Sequence, residues 1–308
     1  MGKKRMQSPS SINTYLQCPR KYFYVYKWKL PGSPSIHLVR GVVAHAALEH
    51  LYSVLPEVIS DNYKANLKVI VTELLKKFWR ENKSDFDELN MTPQQLDAYF
   101  EETKDMLIQH LSLIFEKLET QMSKGLSFSD AFRKIKPVCE KEYKSWDYYV
   151  RGFIDVIEDV DGKVRLMDYK TSKAAKISDA YKLQLAIYAM LYELEHGVKP
   201  SEVGIYFLKF PKSQGGEMTL KVDDELIKHG KFMIEQIHAS TDSDNIIDYK
   251  KNETPLCKWS SGQCDYYDYC FNGKPLPPEP LKSQWEIQKE KEEAEKKVIA
   301  EKEASLDN

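Results

Sequence analysis

Residues 151–173, RGFIDVIEDVDGKVRLMDYKTSK, decide the fold of this chain. The dipeptide Asp161-Gly162 is typical of a tight turn between antiparallel strands, and apolar and polar residues alternate on both sides of it. The pattern predicts two strands, 148–160 and 163–170, joined by a two-residue turn. A four-residue turn is the alternative, and it would shift the pairing of the two strands.

Two carboxylates on this hairpin are predicted to face each other. With a two-residue turn, Asp155 lies directly opposite Asp168, with the β-carbons roughly 5 Å apart, and Lys170 shares that face of the sheet. Because opposed carboxylates repel, the arrangement indicates a divalent cation between them, and hard oxygen ligands suit Mg²⁺ or Mn²⁺. The ammonium would orient or deprotonate an attacking water, or stabilise charge on a phosphate. The structural alternative is a diagonal Asp155–Lys170 ion pair with Asp168 facing solvent.

The composition is that of a globular protein without a strong charge bias. The chain has 308 residues, 42% of them hydrophobic, and a formal net charge of −2, so any DNA-binding surface must come from local basic clusters. The basic start of the chain is not followed by an apolar stretch, and no run of residues is long enough to cross a bilayer. We therefore expect a cytoplasmic protein that makes no contact with a membrane.

Hydrophobic periodicity predicts helices and further strands around the hairpin. Helices are expected at 38–55, 63–82, 93–122, 178–196 and 223–240, and strands at 136–144, 203–210 and 217–222. We expect five segments along the chain. They are an N-terminal segment (1–40), a helix with a helical insertion (41–130), a core (131–245), a cysteine-rich segment (246–275) and a charged tail (276–308). The tail is mostly Glu and Lys, which indicates a solvated helix or a disordered segment.

Four short motifs resemble, in order, those of one enzyme family. They are Gly-x-x-x-His at 41–45, Gly-Phe-Ile-Asp at 152–155, Asp-Tyr-Lys-Thr at 168–171, and Gln184 with Tyr188 on a following helix. Together they resemble the PD-(D/E)XK nucleases, and among these the RecB-like exonuclease branch, over residues 8–270. One departure is that no proline precedes Asp155.

The resemblance implies a restriction-endonuclease-like α/β fold, in which a mixed sheet is flanked by helices, and cleavage of DNA phosphodiester bonds with Mg²⁺ or Mn²⁺. The metal ligands that it implies are His45, Asp155, Asp168 and the Tyr169 carbonyl, and the catalytic residue is Lys170. On the DNA-binding side of the site it implies Gln184 and Tyr188. The residues alone leave other interpretations open. His45 suits a core histidine, and Gln184 and Tyr188, four residues apart, suit a helical packing face.

Four of the five cysteines are predicted to form one site. Cys257, Cys264 and Cys270 lie close together in the sequence, and in a reducing compartment such a cluster favours a metal site over disulfides. With the lone Cys18 they resemble the [4Fe–4S] ligands of CRISPR-adaptation and AddB-type nucleases, although the first spacing is longer here. The resemblance implies an iron–sulfur staple between the N- and C-terminal segments. Zn²⁺ is the alternative, since thiolates bind both. Cys139 is expected to be a core residue.

Basic and aromatic residues, among them Arg20 and Tyr22, interleave from residue 20 to residue 29. This composition suits a track for single-stranded DNA, with rings on bases and cations at phosphates, and a packed helix with solvated lysines is the alternative. The resemblance implies an exonuclease on single-stranded or end-containing DNA, with any helicase or recombination protein on a separate chain. The competing hypotheses are a non-catalytic DNA-binding or scaffold module and a zinc-stapled partner-binding protein.

Overall fold

The computed structural model describes residues 5–59, 62–260, 262–282 and 289. Among them, residues 5–10 and 34–240 form a unit built around a β-sheet, which we call the sheet unit, and residues 11–33 and 241–282 form a second, the cysteine unit. Most of the predicted charged tail lies outside the described residues. Within the described part of the chain, no helix is long and apolar enough to span a membrane.

Helices and strands follow the predicted order, with ends displaced by a few residues. The helices are α1 (Pro9–Gln17), α2 (Pro19–Tyr22), α3 (Ile36–Leu51), α4 (Tyr63–Glu81), α5 (Lys83–Asp87), α6 (Pro93–Ser123), α7 (Phe128–Ile135), α8 (Asp179–His196), α9 (Asp224–Ser240) and α10 (Tyr267–Phe271). The strands are β1 (Val138–Ser145), β2 (Val150–Val160), β3 (Lys163–Lys170), β4 (Glu202–Phe207), β5 (Glu217–Lys221), β6 (Lys258–Trp259) and β7 (Gly262–Gln263). The helices α5 and α7 and the hairpin β6–β7 have no predicted counterpart, because each is too short to show a periodic pattern.

The main sheet has five strands in the order β1-β2-β3-β4-β5. Neighbouring strands are antiparallel except β3 and β4, which are parallel and are connected through α8. Met167, Tyr169 and Tyr206 project into a core shared with the helices α3, α4, α6 and α7. Side chains of the opposite face, such as Asp168, contact α8. The predicted α/β class, with a mixed sheet flanked by helices, is confirmed.

The helical insertion packs against the sheet through regularly spaced apolar residues. The longest helix, α6, has 31 residues and begins with the predicted capping box, in which Thr92 and Gln95 each accept a backbone N–H of the other. Leu67 and Leu75 of α4 and Leu107 of α6 are buried in the same core as Tyr169. The insertion therefore contributes to the core behind β3.

The β2–β3 turn has the predicted length. Asp161 and Gly162 have φ angles of +51° and +80°, as a two-residue type I′ turn requires. Val160 pairs with Lys163, and the ladder continues to the pair Val156–Met167. Beyond that pair β3 continues to pair with β4 but is no longer paired with β2. The two strands therefore diverge at the level of Asp155 and Asp168, and we call this opening the fork.

The N-terminal segment of the sheet unit lies beside the part of β2 that β3 has left. The N–H of Gln7 donates to the carbonyl of Tyr149 at 3.0 Å, and the N–H of Arg151 donates to the carbonyl of Gln7 at 2.9 Å. At this level β1 already occupies the other edge of β2. We call residues 5–10 the N-terminal strap, since they bound the fork on the β2 side.

The cysteine unit has a small core made largely of tyrosine and phenylalanine. Tyr22, Phe23, Tyr24, Tyr249 and Tyr266 are each at most 3% exposed. The rings of Tyr22 and Tyr249 are stacked, with centroids 6.2 Å apart and planes inclined by 6°. Aromatic packing therefore holds together residues that are distant in the sequence.

Candidate active site

The fork brings together the two carboxylates and the lysine that the hairpin predicts. Asp155 and Asp168 are 7% and 2% exposed, so both carboxylates are withdrawn from bulk water. Oδ2 of Asp155 accepts the backbone N–H of Tyr169 at 2.8 Å, and the ammonium of Lys170 forms an ion pair with Oδ2 of Asp168. Burial and the nearby Asp168 raise the pKa of Asp155 well above its usual range.

A third carboxylate, from Glu140 of β1, joins this group. Cys139 pairs with Val156 and Lys141 with Ile154, so the register places Glu140 opposite Asp155. Glu140 has a φ angle of +49°, an unusual conformation for a residue other than glycine. Burial, Glu49 and Asp168 together raise the pKa of Glu140. Three carboxylates thus lie side by side on three adjacent strands.

His45 of α3 completes the cluster from the helical side. Its Nε2 lies 3.0 Å from the carbonyl oxygen of Tyr169, and its Nδ1 lies 3.3 Å from Oδ2 of Asp155 and 4.0 Å from Oε1 of Glu140. Burial lowers the pKa of His45, which favours the neutral ring. A neutral imidazole has one proton, so one of its two nitrogens keeps a lone pair. In either tautomer that lone pair faces an oxygen atom that also accepts hydrogen bonds, which is a repulsive contact.

This conflict among acceptors fits a bound cation. Within the described residues, His45, Glu140 and Asp155 are the group whose ligand atoms all lie within 4.8 Å of one another. A divalent cation would remove the repulsion between the carboxylates and would accept the imidazole lone pair. Glu140 is the residue that sequence reasoning undervalued, and its position opposite Asp155 was the signal that could have identified it.

Gln184 and Tyr188 of α8 contact the carboxylate group from the other side. The amide of Gln184 donates to Oδ1 of Asp168 at 2.7 Å, and Nε2 of Gln184 lies 2.7 Å from the hydroxyl of Tyr188. Tyr188 is only 4% exposed. A β-carbon on Gly152 would lie 3.0 Å from the ring of Tyr188, so glycine at this position allows α8 to approach β2 closely.

The fork opens into a cavity of about 390 Å³, which we call the fork cavity. Asp155, Asp168, Lys170 and Tyr188 line one side of it, and residues of the N-terminal strap line another. Burial alone would lower the pKa of Lys170, but Asp168 raises it overall. The lysine is therefore an ammonium near neutral pH, beside buried carboxylates in an open cavity.

The four predicted cluster cysteines line one small cavity of about 30 Å³ in the cysteine unit: Cys18, Cys257, Cys264 and Cys270. All five cysteines of the chain are free thiols. Burial raises the pKa of Cys270, and the Cys18 thiol adds to this effect. Cys139 lies instead against the core of the sheet unit, as predicted.

The prediction that Tyr22 stacks on DNA bases is wrong in this structure. Its ring is fully buried against Tyr15, Tyr26 and Tyr249, so no face is available to a base. Arg20 donates from Nε to the carbonyl of Tyr249 at 2.7 Å, which anchors it within the cysteine unit. The packed alternative therefore holds for Tyr22, and a DNA contact by Arg20 stays a prediction.

The sequence of the chain was also compared with known proteins. The model of the PD-(D/E)XK nuclease superfamily matches residues 7–271. The chain belongs to the PD-(D/E)XK nuclease superfamily. This membership agrees with the mixed sheet and with the position of Asp155, Asp168 and Lys170 at its fork.

Three known proteins are similar in sequence to parts of this chain. The chain is 30% identical over 161 residues to the CRISPR-associated exonuclease Cas4 of Francisella tularensis subsp. novicida, covering 51% of this chain and 74% of that protein. It is 22% identical over 246 residues to the Gene 69 protein of Mycobacterium phage L5, covering 71% and 81%. It is 24% identical over 166 residues to the RecBCD enzyme subunit RecB of Borreliella burgdorferi, covering 51% of this chain and 14% of that much longer subunit.

Proposed function

We propose that this nuclease hydrolyses DNA phosphodiester bonds with Mg²⁺ or Mn²⁺ bound in the fork. The observation that carries the proposal is the group of acceptors around the buried carboxylate of Asp155, namely Glu140, Asp168 and His45. Such a group is costly to fold without a compensating positive charge, and a divalent cation supplies it. If these residues had only a structural role, nothing in the site would offset this unfavourable free energy.

The ligands would be Asp155, Asp168, the carbonyl of Tyr169 and His45, with Glu140 as a further candidate. The bound cation would polarise a phosphate oxygen and favour ionisation of a water molecule. The protein side chains hold the ligand set in place. The Tyr169 N–H fixes Oδ2 of Asp155 and leaves Oδ1 for the cation. Asp168 is held by Gln184 at Oδ1 and by Lys170 at Oδ2, so a cation would share Oδ2 with the ammonium or displace it.

Lys170 is proposed as the catalytic lysine. Its raised pKa keeps the ammonium charged, so it suits stabilisation of negative charge on the phosphate better than removal of a proton. The Tyr181 ring lies 5.3 Å from Nζ and limits where the ammonium can point. Gln184 and Tyr188 are proposed to border the DNA, with Gln184 also orienting Asp168.

The proposed substrate is single-stranded or end-containing DNA, cut by an exonuclease mechanism. Support comes from the name of one relative, an exonuclease, and from another relative that is the RecB subunit of the RecBCD enzyme. Any helicase or recombination partner is proposed to be a separate chain.

We propose that Cys18, Cys257, Cys264 and Cys270 hold a [4Fe–4S] cluster. The four cysteines line one cavity of the cysteine unit, so one bound group could take all four as ligands. Thiolates bind zinc as well, and the resemblance of the cysteine spacing to that of iron–sulfur nucleases favours the cluster. Metal analysis of anaerobically purified protein tests this, and stoichiometric zinc without iron would overturn it.

The proposed activity is tested by digestion of end-labelled linear DNA and of circular DNA, single- and double-stranded. We expect degradation of linear DNA with Mg²⁺ or Mn²⁺, none with a chelator, and protection of the circles. Asp168→Asn is the matched inactive control. DNA binding without turnover under every metal condition would point to the non-catalytic DNA-binding or scaffold module instead.

A further inference from the structure

The wall of the fork cavity formed by the N-terminal strap carries groups that the proposed chemistry does not use. Arg5, Ser8 and Ser10 of the strap line this cavity together with Arg151 of β2. Arg5 and Arg151 flank Gln7, whose backbone is bonded to β2 through Tyr149 and Arg151. The strap therefore positions two guanidinium groups at the cavity that holds Asp155 and Lys170.

The position of each arginine is set by local contacts. Nη1 of Arg5 donates to the carbonyl of Met6 at 3.0 Å, which ties its guanidinium to the strap itself. Nη1 of Arg151 lies 3.4 Å from a carboxylate oxygen of Glu142, and both of these side chains are substantially exposed. An exposed pair at this distance contributes little energy, so Arg151 can exchange Glu142 for another anion at small cost. A guanidinium has five N–H donors in a planar fork, which match two oxygens of a phosphate.

Groups of opposite charge line the fork cavity. The carboxylates of Asp155 and Asp168 belong to the lining of the cavity, where the proposed cation and the scissile phosphate would sit. Arg5, Arg151 and the two serines belong to the same lining, a set that favours an anion without a metal. Because the substrate of a nuclease carries a phosphate on each nucleotide, a phosphate next to the scissile one would enter the same cavity.

We propose that Arg5 and Arg151, with the hydroxyls of Ser8 and Ser10, form a subsite for the phosphate adjoining the scissile phosphate. This inference rests on the proposed nuclease activity and adds the position of the substrate in the cavity. The adjoining phosphate is either internal to the strand or the phosphate of a strand end. An internal phosphodiester carries one negative charge and a terminal phosphate carries close to two at neutral pH. Both present oxygen acceptors to the arginines, and the choice of substrate separates them.

The test compares Arg5→Gln, Arg151→Gln and the double variant with Arg80→Gln, an exposed arginine on α4 outside the sheet fork. Steady-state cleavage of a short single-stranded oligonucleotide gives kcat and KM. We expect each subsite variant to raise KM about tenfold, the effect of losing one charge-assisted contact, with a much smaller change in kcat. Arg5→Lys should recover part of the loss, and Arg80→Gln should match wild type.

A binding measurement separates the subsite from the chemistry. In a Lys170→Ala background, the logarithm of the affinity is followed against the logarithm of salt concentration. Each lost phosphate contact should reduce the slope by about 0.7 for a single strand. Equal melting temperatures of all variants will exclude a folding defect. If removing a terminal phosphate from the oligonucleotide reproduces the variant effect, the ligand is a strand end, and if it does not, the ligand is an internal phosphate.

Two results would overturn the subsite. One is a double variant whose KM and salt slope equal those of Arg80→Gln. The other is a wild type that neither cleaves nor binds DNA, which also rejects the proposed function. A wild type that binds DNA without cleaving it rejects only the nuclease proposal, because the salt slopes of the variants still decide whether Arg5 and Arg151 contact a phosphate.

Discussion

The backbone N–H of Tyr169 donates to the side-chain carboxylate of Asp155, at the level where β2 and β3 stop pairing. In a regular antiparallel ladder a strand N–H donates to a backbone carbonyl of the neighbouring strand. Here a side chain takes that place, which satisfies the N–H although the strands have separated. The carboxylate is thereby fixed in direction, and the fork can open without leaving an unpaired backbone group.

Asp155→Asn should abolish cleavage and stabilise the metal-free protein. The amide oxygen of asparagine can still accept the Tyr169 N–H, so the substitution removes the charge and keeps the hydrogen bond. Burial and Asp168 raise the pKa of Asp155, so its ionised form opposes folding at neutral pH. We expect a higher free energy of unfolding for the variant than for the wild type, measured by denaturant unfolding with a chelator present.

The stability difference between Asp155→Asn and the wild type should depend on pH. A carboxyl group with a raised folded pKa costs stability where it is ionised, and the cost disappears below the pKa of unfolded Asp, about 3.9. The stability advantage of Asp155→Asn should therefore grow as the pH rises from about 4, be full only above the raised pKa of Asp155, and vanish as the pH falls toward 4. An advantage that is independent of pH would show that the carboxylate charge is not its cause.

Lys170→Ala should lose turnover and keep metal-dependent DNA binding. The ammonium is paired with Asp168. Its proposed action is on the phosphate, whereas the carboxylates and His45 are the proposed ligands of the cation. Removing one preorganised electrostatic group costs roughly 100- to 1,000-fold in kcat. Single-turnover rates and binding isotherms with Mn²⁺ check both parts. Loss of Mn²⁺ binding together with turnover would mean that the two roles are not divided in this way.

Glu102→Gln should destabilise the nuclease although Glu102 lies in the insertion. The carboxylate of Glu102 pairs with Arg40, which is 2% exposed, and Arg40 donates to the Thr171 carbonyl at 3.3 Å. Breaking a buried pair leaves an uncompensated charge and costs several kcal/mol, and partial exposure of Glu102 reduces this to about 2 kcal/mol. Chemical denaturation measures the change. The control Glu73→Gln removes an exposed pair with Lys76 and should change stability by less than about 0.5 kcal/mol.

The sequence predicts the hairpin turn and its register because their geometry is local, although the β2–β3 ladder ends one pair before Asp155 and Asp168. Asp161-Gly162 specifies the turn, the turn specifies the register, and the register brings Asp155 and Asp168 to one level. Gln184 and Tyr188 are predicted together because four residues on a helix fix their common face. Each of these inferences depends on spacing within one element or between adjacent elements.

The features that sequence reasoning missed depend on contacts between distant segments. The strap at Gln7 pairs with β2 at Val150, which no periodic pattern indicates. Glu140 acquires its position from the β1–β2 register and a left-handed backbone angle. Tyr22 shows the opposite error, because interleaved aromatic and basic residues do not reveal which rings are buried. Composition identifies candidates for DNA contact, and burial then decides among them.

His110 should make the stability of the sheet unit sensitive to mild acid. Its ring packs edge-on against Tyr169 and Tyr206, and burial, with a contribution from Lys117, lowers its pKa to about 3. An unfolded histidine binds its proton near pH 6.5, so stability is full above that pH and falls as the pH drops toward 3. We expect a loss of roughly 3 kcal/mol by pH 4, which His110→Phe should remove.

The measurement is denaturant unfolding between pH 7 and 4 with a chelator, so that metal release does not contribute. The matched control is His229→Phe on α9, where the histidine is exposed. That variant should keep the pH dependence of wild type. If the His110 variant shows the same slope as the control, another buried group controls the acid sensitivity.

Cys18→Ser should destabilise the protein far more than Cys139→Ser, although each removes one thiol. More than two hundred residues separate Cys18 from Cys257, so shared ligation of a cluster closes a very long loop. By analogy with disulfides, such a closure is worth ~5 kcal/mol. Cys139 contributes the packing of one small side chain, typically about 1 kcal/mol. Anaerobic wild type should be brown, and the Cys18 variant should be pale and rapidly proteolysed. Equal iron content and equal melting temperatures of the two variants would remove Cys18 from the proposed cluster.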